Sequence, residues 1–460
     1  MDDSTCPGCQ ALRVRVAQLE AQLAELARRL EDALRAGKRQ AAPFRKGPPK
    51  SKPRTPGRKA GTDHGDHGHR PLPDADHVSE CHDAPLPEAC PHCQGTLVET
   101  GTAEQFQTEI PRQSVIRQFT VHVGQCRQCG RRVQGRHALQ TSDALGAAAS
   151  QVGPDAQAAA TVLHTRLGLS HGKVAALFDS LFGINLTRGA SAQINLRAAN
   201  RLEPSYATIL DAVRGSEHIA ADETGWRVGG RPAWLHVWVA DLATAYAIDP
   251  RRSAEVLERV IGTNWDGVLS HDGFSSYGRF TEAVHQQCAA HVVVRARELL
   301  QTATRGAARF PRQVLELFTT AVHQRNLYRR GELSLEALQA RREAFDDRLE
   351  ALTARPRASP ENERFAKHLW QHSVEWFAFV TDPLIEATNW QAEQALRPAV
   401  VNRKVWGGNR TTLGAQAQGV LMSVLETCQR QARAALDFVS QTLRAAGNRI
   451  LPPPVILLPR

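Results

Sequence analysis

Apolar residues along this chain change their period several times, and each change predicts an element. Leu12, Val16, Leu19, Leu23, Leu26, Leu30 and Ala33 recur at alternating steps of four and three, the seam of a coiled coil. The seam is about three heptads long, marginal for a lone helix. It predicts self-association, with packing on its own chain as the alternative. Helical patterning returns over 155–212. An apolar helix spans Ala158 to Leu167, a second begins at Ser170 and breaks at Gly183, and a third opens at Thr187. Helix, glycine turn and helix predict a helix-turn-helix, or else a plain helical hairpin. The last of these helices carries Arg188, Gln193, Asn195 and Arg197, side chains able to reach phosphates or base edges.

The period then drops to that of strands. His218 to Ala240 reads as two strands reversed at Gly229-Gly230, and Ala243 to Ile248 as a third. Ser253 to Ile261 is an amphipathic helix, and Gly267 to Phe274 a further strand. Residues 295–385 are helical, rich in Arg and Glu and broken at Pro356 and Pro360; they read as an insertion. A helix starting at the cap-like Thr388 puts Glu393 about 1.5 turns in. Another helix from 414 to about 433 closes the pattern, and the remainder reads as a tail.

Composition narrows the class. The 460 residues are 42% hydrophobic and 23% charged, ordinary for a globular protein of several domains. No apolar run is long enough for a membrane helix, and the N-terminus lacks a basic-then-apolar signal, so a cytoplasmic protein is expected. The net charge of +10 is unevenly placed. Residues 35–73 hold eleven Lys or Arg, two Asp and seven Pro, leaving 46 basic against 45 acidic residues elsewhere. Such a stretch predicts a disordered, phosphate-binding arm, a solvated spacer being the alternative.

Nine cysteines include three C-x-x-C pairs, which in a cytosolic chain favour zinc over disulfides. Cys6 and Cys9 are isolated. Cys90 and Cys93, with Cys126 and Cys129, form two knuckles separated by 32 residues. Strand-like segments at Val115-Ile116 and Phe119–Val123 lie between them, which predicts a zinc ribbon with a structural ion on four thiolates.

The acidic positions suggest the chemistry. Asp222 interrupts an apolar strand, where a carboxylate is costly unless it is paired, metal-bound or turned to solvent. Asp272 ends a later strand. Three strands, a helix and another strand is the order of a ribonuclease-H-like core, whose first and fourth strands lie side by side. Asp222 and Asp272 could then face each other, and two close carboxylates call for a divalent cation. Oxygen-only ligands suit magnesium or manganese. Asn389, Glu393 and Arg397 share one helix face, with the basic run Arg403-Lys404 just beyond. Cys288 and His291, entering a helix, read as packing between the core and a neighbouring helix, metal binding being the alternative.

ADETGW at 221–226, HDGFSSY at 271–277, CAAH at 288–291 and TNWQAEQALRPAVVNRK at 388–404 together resemble the insertion-sequence-66 family of bacterial transposases. The resemblance extends, less specifically, to the order of the N-terminal segments. It departs from the family pattern at Trp390, Gln394 and Ala289. It implies a DDE triad of Asp222, Asp272 and Glu393 binding magnesium or manganese. The implied activity is cleavage of element ends and joining to target DNA. DNA is then the partner, contacted by Arg188, Gln193, Arg197, Arg397, Arg403 and Lys404, and a homo-oligomer is expected. The expected fold is α/β and multidomain. A coiled-coil helix occupies 1–34, a basic linker 35–75, a zinc ribbon 76–137 and a helix-turn-helix region 138–212. A mixed-sheet ribonuclease-H-like core at 213–295 and 386–435 is split by a helical insertion at 296–385, with a tail at 436–460. Two other readings compete. One is a non-catalytic zinc-ribbon and helix-turn-helix regulator, which leaves the acidic positions idle. The other is a ribonuclease-H-like nuclease, which needs no end-recognition segments.

Overall fold

The computed structural model describes residues 15–27, 72–108, 114–146 and 151–445. The chain divides into two units, Met1–Arg112 and Gln113–Arg460. In the first, residues 15–27 are helical, with Val16, Leu19, Leu23 and Leu26 exposed. The remainder of the heptad seam, Cys6, Cys9 and nearly all of the basic stretch lie outside the described residues. The first knuckle is closed by backbone bonds: Gln94 N–H donates to the Cys90 carbonyl at 2.8 Å, and Cys90 N–H to that of Gly95 at 2.9 Å.

The second knuckle belongs to the other unit. It forms the turn between two antiparallel strands, β1 (Val123–Gln125) and β2 (Arg132–Gln134). Here the structure corrects the sequence expectation. Only Val123 of the expected strand segments pairs, and Val115 and Ile116 are exposed and irregular. An alternating pattern forms a strand only where one face finds something to pack on.

Three helices follow, α1 (Pro154–Thr165), α2 (His171–Phe182) and α3 (Arg188–Arg214). The caps fall where the sequence put them. Ser170 Oγ accepts from Lys173 N and Thr187 Oγ1 from Ala190 N, each satisfying a donor that the first turn leaves free. The extent of α3 differs from expectation. It runs 27 residues, and its second half buries Leu202, Ile209 and Val213 in the main core. The three helices at 154–214 are therefore continuous with the domain that follows.

That domain is built on a five-stranded sheet in the order β5-β4-β3-β6-β7, where β3 is His218–Val228, β4 Arg231–Val239, β5 Thr244–Asp249, β6 Val268–His271 and β7 Val284–Gln287. The first three strands are antiparallel, while β6 and β7 run parallel to β3. Gly229 and Gly230, both at positive φ, make the two-residue reversal between β3 and β4. Strand β7 was not anticipated: Val284-His-Gln-Gln is too polar to read as one, and its pairing with β6 makes it a strand.

Alternation divides β3 between two cores. Ile219 and Ala221 face one layer, formed by α3, α4 (Ala254–Ile261) and two C-terminal helices. Ala220 and Trp226 face the other, under a helix described below. The insertion at 296–385 comprises the second half of α5 (Ala289–Thr302), then α6 (Arg309–Arg329), α7 (Leu335–Gln339), α8 (Arg342–Thr353), α9 (Pro360–Gln371) and α10 (Ala378–Thr381). It has a core of its own, with Phe318, Trp376, Phe377 and Phe379 buried at its centre. Its two ends are tied together where Ala289 N–H donates to the Ala387 carbonyl at 2.9 Å.

The chain then returns through α11 (Trp390–Trp406), α12 (Thr412–Arg430) and α13 (Ala435–Arg444). Helix α12 caps the edge strand: Ser423 Oγ accepts from Tyr246 N and Thr427 Oγ1 from Thr244 N. This satisfies backbone donors that a sheet edge otherwise leaves bare. Two expectations are corrected. Thr388 is not the cap of α11; Asn389 occupies that position, so Glu393 sits in the first turn. Residues 436–444 are not a tail, because α13 buries Phe438 and Val439 in the main core. Among the described residues, no helix is long and apolar enough to cross a membrane.

Candidate active site

Strands β3 and β6 pair in parallel register from His218↔Val268 to Ala220↔Ser270. Continuing that register past the last pair brings Asp222 opposite Asp272, where the two strands part. Asp222 shares a face with Ala220, beneath α11. Its Oδ1 accepts from Glu223 N at 2.8 Å, and Asp272 Oδ1 accepts from Phe274 N at 2.9 Å, which fixes both carboxylates. Burial pushes the Asp222 carboxyl up to about 7. The Glu223 amide partly offsets this, while the charges of Asp272, Glu223 and Glu393 add to it. Three acids from separated segments thus feel one another at Asp222.

Glu393 arrives through the closed base of the insertion. Asn389 is 1% exposed, its Nδ2 donates to the Ala221 carbonyl at 2.9 Å, and its backbone N–H donates to Cys288 Sγ at 3.2 Å. This pins the start of α11 to β3 and to the start of α5. Glu393 Oε1 lies 3.9 Å from His291 Nε2. The His291 imidazole is raised to about 9, chiefly by its hydrogen bond to Cys288, with burial opposing and the Cys288, Glu393 and Asp272 charges adding. Cys288, His291 and Glu393 offer ligand atoms within 4.8 Å of one another. A cleft of about 320 Å³ opens beside them, lined by Asp272, Cys288, His291, Arg295 and Trp376 among others. Cys288 and His291, read from sequence as packing residues, belong to this site. Their Cys-x-x-His spacing was the only signal that could have placed them there.

The other acids are committed elsewhere. Glu223 lies on the opposite face of β3, accepting from Tyr277 Oη at 2.7 Å and Arg252 Nε at 2.7 Å. Glu386 pairs with Arg325 at 3.1 Å and Arg329 at 2.8 Å. Beneath Asp272, His271 Nδ1 accepts from Gly273 N at 3.0 Å and its Nε2 meets His285 Nδ1 at 2.9 Å. His285 Nε2 in turn donates to the Phe280 carbonyl at 2.8 Å. His271, His285 and Glu375 also cluster closely enough to suggest a metal, but both ring nitrogens of each histidine are already used. The trio reads as a support for the β6 end.

The expected DNA-facing residues divide. Arg188, Gln193 and Arg197 are exposed on α3, and Arg397 and Lys404 on α11. Asn195 is buried at 6% exposure. Arg403 is also a correction, because its guanidinium turns inward to the Gly225 carbonyl and the Thr224 hydroxyl. Through Nη1 it ties α11 to β3.

A mixed sheet walled by helices fits an α/β transposase. The family model described as "Transposase IS66 family" matches residues 149–417, more than half of the chain. The chain belongs to that family. Comparison with curated proteins finds no match.

Proposed function

We propose that this protein cleaves the ends of an insertion sequence and joins them to target DNA, using Asp222, Asp272 and Glu393 as a DDE triad in a ribonuclease-H-like core. The observation that carries the reading is the β3–β6 register, which sets Asp222 opposite Asp272, with Asn389 pinning the start of the Glu393 helix to the Ala221 carbonyl beside them. Three carboxylates held this way repel one another, and a bound divalent cation relieves the repulsion. The oxygen donors fit magnesium or manganese. Bound there, such ions would activate the attacking water or 3′-hydroxyl and stabilise the leaving oxygen. The chain's own part is to orient the donors. The Glu223 and Phe274 amides fix two carboxylates, while Asn389 and Cys288 fix the helix that brings the third.

His291, its imidazole raised chiefly by the hydrogen bond to Cys288, stands 3.9 Å from Glu393 and would orient that carboxylate. Arg397 and Lys404 supply phosphate contacts beside the site, and Arg188, Gln193 and Arg197 read the element ends. Zinc at the knuckles is part of the same proposal. Backbone N–H groups of His92 and Cys93 hold the Cys90 thiol below its usual range, and those of Cys129 and Gln128 do the same for Cys126, favouring the thiolates that zinc takes. Self-association through the heptad helix completes the reading.

The test is a magnesium-dependent assay on labelled element ends and a target plasmid. Cleavage followed by joined product is expected. Cleavage without joining would make the protein a nuclease, and binding without either would make it a regulator.

A further inference from the structure

Asp222 and Asp272 are each fixed by a backbone N–H, that of Glu223 for one and that of Phe274 for the other. The side chains of these two amide donors meet on a single residue. Arg252, in the link between β5 and α4, donates through Nε to Glu223 Oε1 at 2.7 Å, and its Nη2 lies 2.5 Å from the same oxygen. Its Cζ lies 3.7 Å from the centre of the Phe274 ring. A second ring, that of Trp234, lies 4.7 Å from it. A planar guanidinium held by an anion and two aromatic faces has little freedom to move.

Glu223 is held from its other side as well. Its side chain is fully buried, and a buried carboxylate is costly without partners. Oε2 accepts from Tyr277 Oη at 2.7 Å, so both oxygens are used. Tyr277 stacks on His271 with ring centres 4.7 Å apart, against the residue that precedes Asp272. The segment after Asp272 needs such support. Gly273 sits at φ +91, a conformation that glycine takes freely, so the backbone by itself leaves Phe274 loosely placed. An ion pair that serves stability alone need only satisfy its own charges, as Arg259 and Asp249 do at 2.7 Å. Arg252 and Glu223 also grip the neighbours of both acids.

We infer that Arg252 is a positioning residue of the candidate metal site: by holding Glu223 and Phe274 together it sets the separation of the Asp222 and Asp272 carboxylates to what a shared divalent cation needs. The inference rests on the catalytic reading of those acids. In this role Arg252 touches neither metal nor DNA, and its effect passes through the two amides.

The test is Mn2+ binding to the full chain without DNA, read by water-proton relaxation, beside unfolding curves and the Mg2+ dependence of cleavage. Arg252→Met keeps much of the side chain's bulk and removes its charge and planar fork. It is expected to weaken Mn2+ binding about tenfold, as loss of an outer-shell partner does, and to raise the Mg2+ needed for half-maximal cleavage by a similar factor. Arg252→Lys should recover part of the loss, since it keeps the charge on Glu223 but cannot stack as a plane. Arg259→Met, which breaks the pair with Asp249, should leave metal affinity within about twofold. A lowered unfolding midpoint in Arg252→Met with wild-type metal affinity overturns the inference and leaves an ordinary ion pair. Should that protein not fold, Phe274→Leu reads the same link, because it removes the ring and keeps the Glu223 pair; unchanged Mn2+ affinity there overturns the inference equally. Failure of the catalytic reading shows separately, as Mn2+ binding that survives in Asp222→Asn and Glu393→Gln. A site lost in those two variants but kept in Arg252→Met strikes the positioning role alone.

Discussion

At the scale of single residues, two acids seven positions apart make the sharpest contrast. Glu393 faces His291 and adds to the charge at Asp222, whereas Glu386 is spent on Arg325 and Arg329. Glu393→Gln should abolish cleavage and joining while end binding persists. Glu386→Gln should keep activity but lose stability by roughly 1–3 kcal/mol, since it leaves the buried Arg325 with a weaker partner. Activity assays beside denaturation curves separate the two, and cleavage by Glu393→Gln at wild-type rate would remove the triad. Histidine burial sets a second expectation. His236 is 1% exposed, and burial lowers its imidazole to about 4. Between about 4 and 6.5 the unfolded chain then binds more protons than the folded one. The stability from keeping His236 neutral is complete above 6.5 and drains as pH falls toward 4. Burial lowers His271 too, to about 3, in the same direction, while the raised Asp222 and Glu223 carboxyls oppose it. Stability measured against pH should therefore have a shallower acid limb in His236→Gln than in wild type. Asp222 and Asp272 were legible because an acid inside or ending an apolar strand breaks a two-residue rhythm. Glu393 was singled out by its motif and the helix face it shares with Asn389 and Arg397, but nothing in a helix's own pattern says which distant strand it will meet. The inward bond of Arg403 was not legible either: a run of basic residues does not reveal which one also braces a strand.

At the scale of elements, caps and reversals carried most of the information. Ser170, Thr187 and Gly229-Gly230 did structurally what their residue types imply. Pieces defined by partners were harder to see. Strand β7 exists because β6 is beside it, and α13 because a core surface awaits Phe438 and Val439. The knuckles are local and can be tested locally. Purified protein should carry zinc, and Cys126→Ser should lower the zinc content measured by atomic emission; full retention would rule out that ligand. The far end of α11 is tied down as well. Asn409 N–H donates to the Arg227 carbonyl at 3.0 Å, Gly229 N–H donates to that of Asn409 at 2.8 Å, and Gly408 sits at φ +110 between the partners. A Cβ on Gly408 would come within 2.4 Å of the Arg227 carbonyl oxygen. Gly408→Ala should cost about 1–3 kcal/mol in unfolding experiments. An unchanged midpoint would show that this tether yields freely.

At the scale of the whole molecule, charge and connectivity matter more than any contact. Nearly all of the net +10 resides in residues 35–73. Deleting them should flatten the dependence of log affinity on log salt while preference for element ends survives; an unchanged slope would show that the stretch does not touch DNA. Connectivity bears on the moment at which the enzyme becomes dangerous to its host. Asp272 and Glu393 are separated by 120 residues of chain, most of them in an insertion with its own core, whose ends close through Ala289 and Ala387. Synthesis runs from the N-terminus, so the α3 face and two of the three acids emerge from the ribosome well before the third. A chain cut short anywhere in the insertion lacks Glu393, and it also lacks α12 and α13, which complete the core that α3 packs into. On the proposed triad, the third acid and the helices that close the core arrive together, so no unfinished copy can cut, and the last stretch of synthesis arms the site.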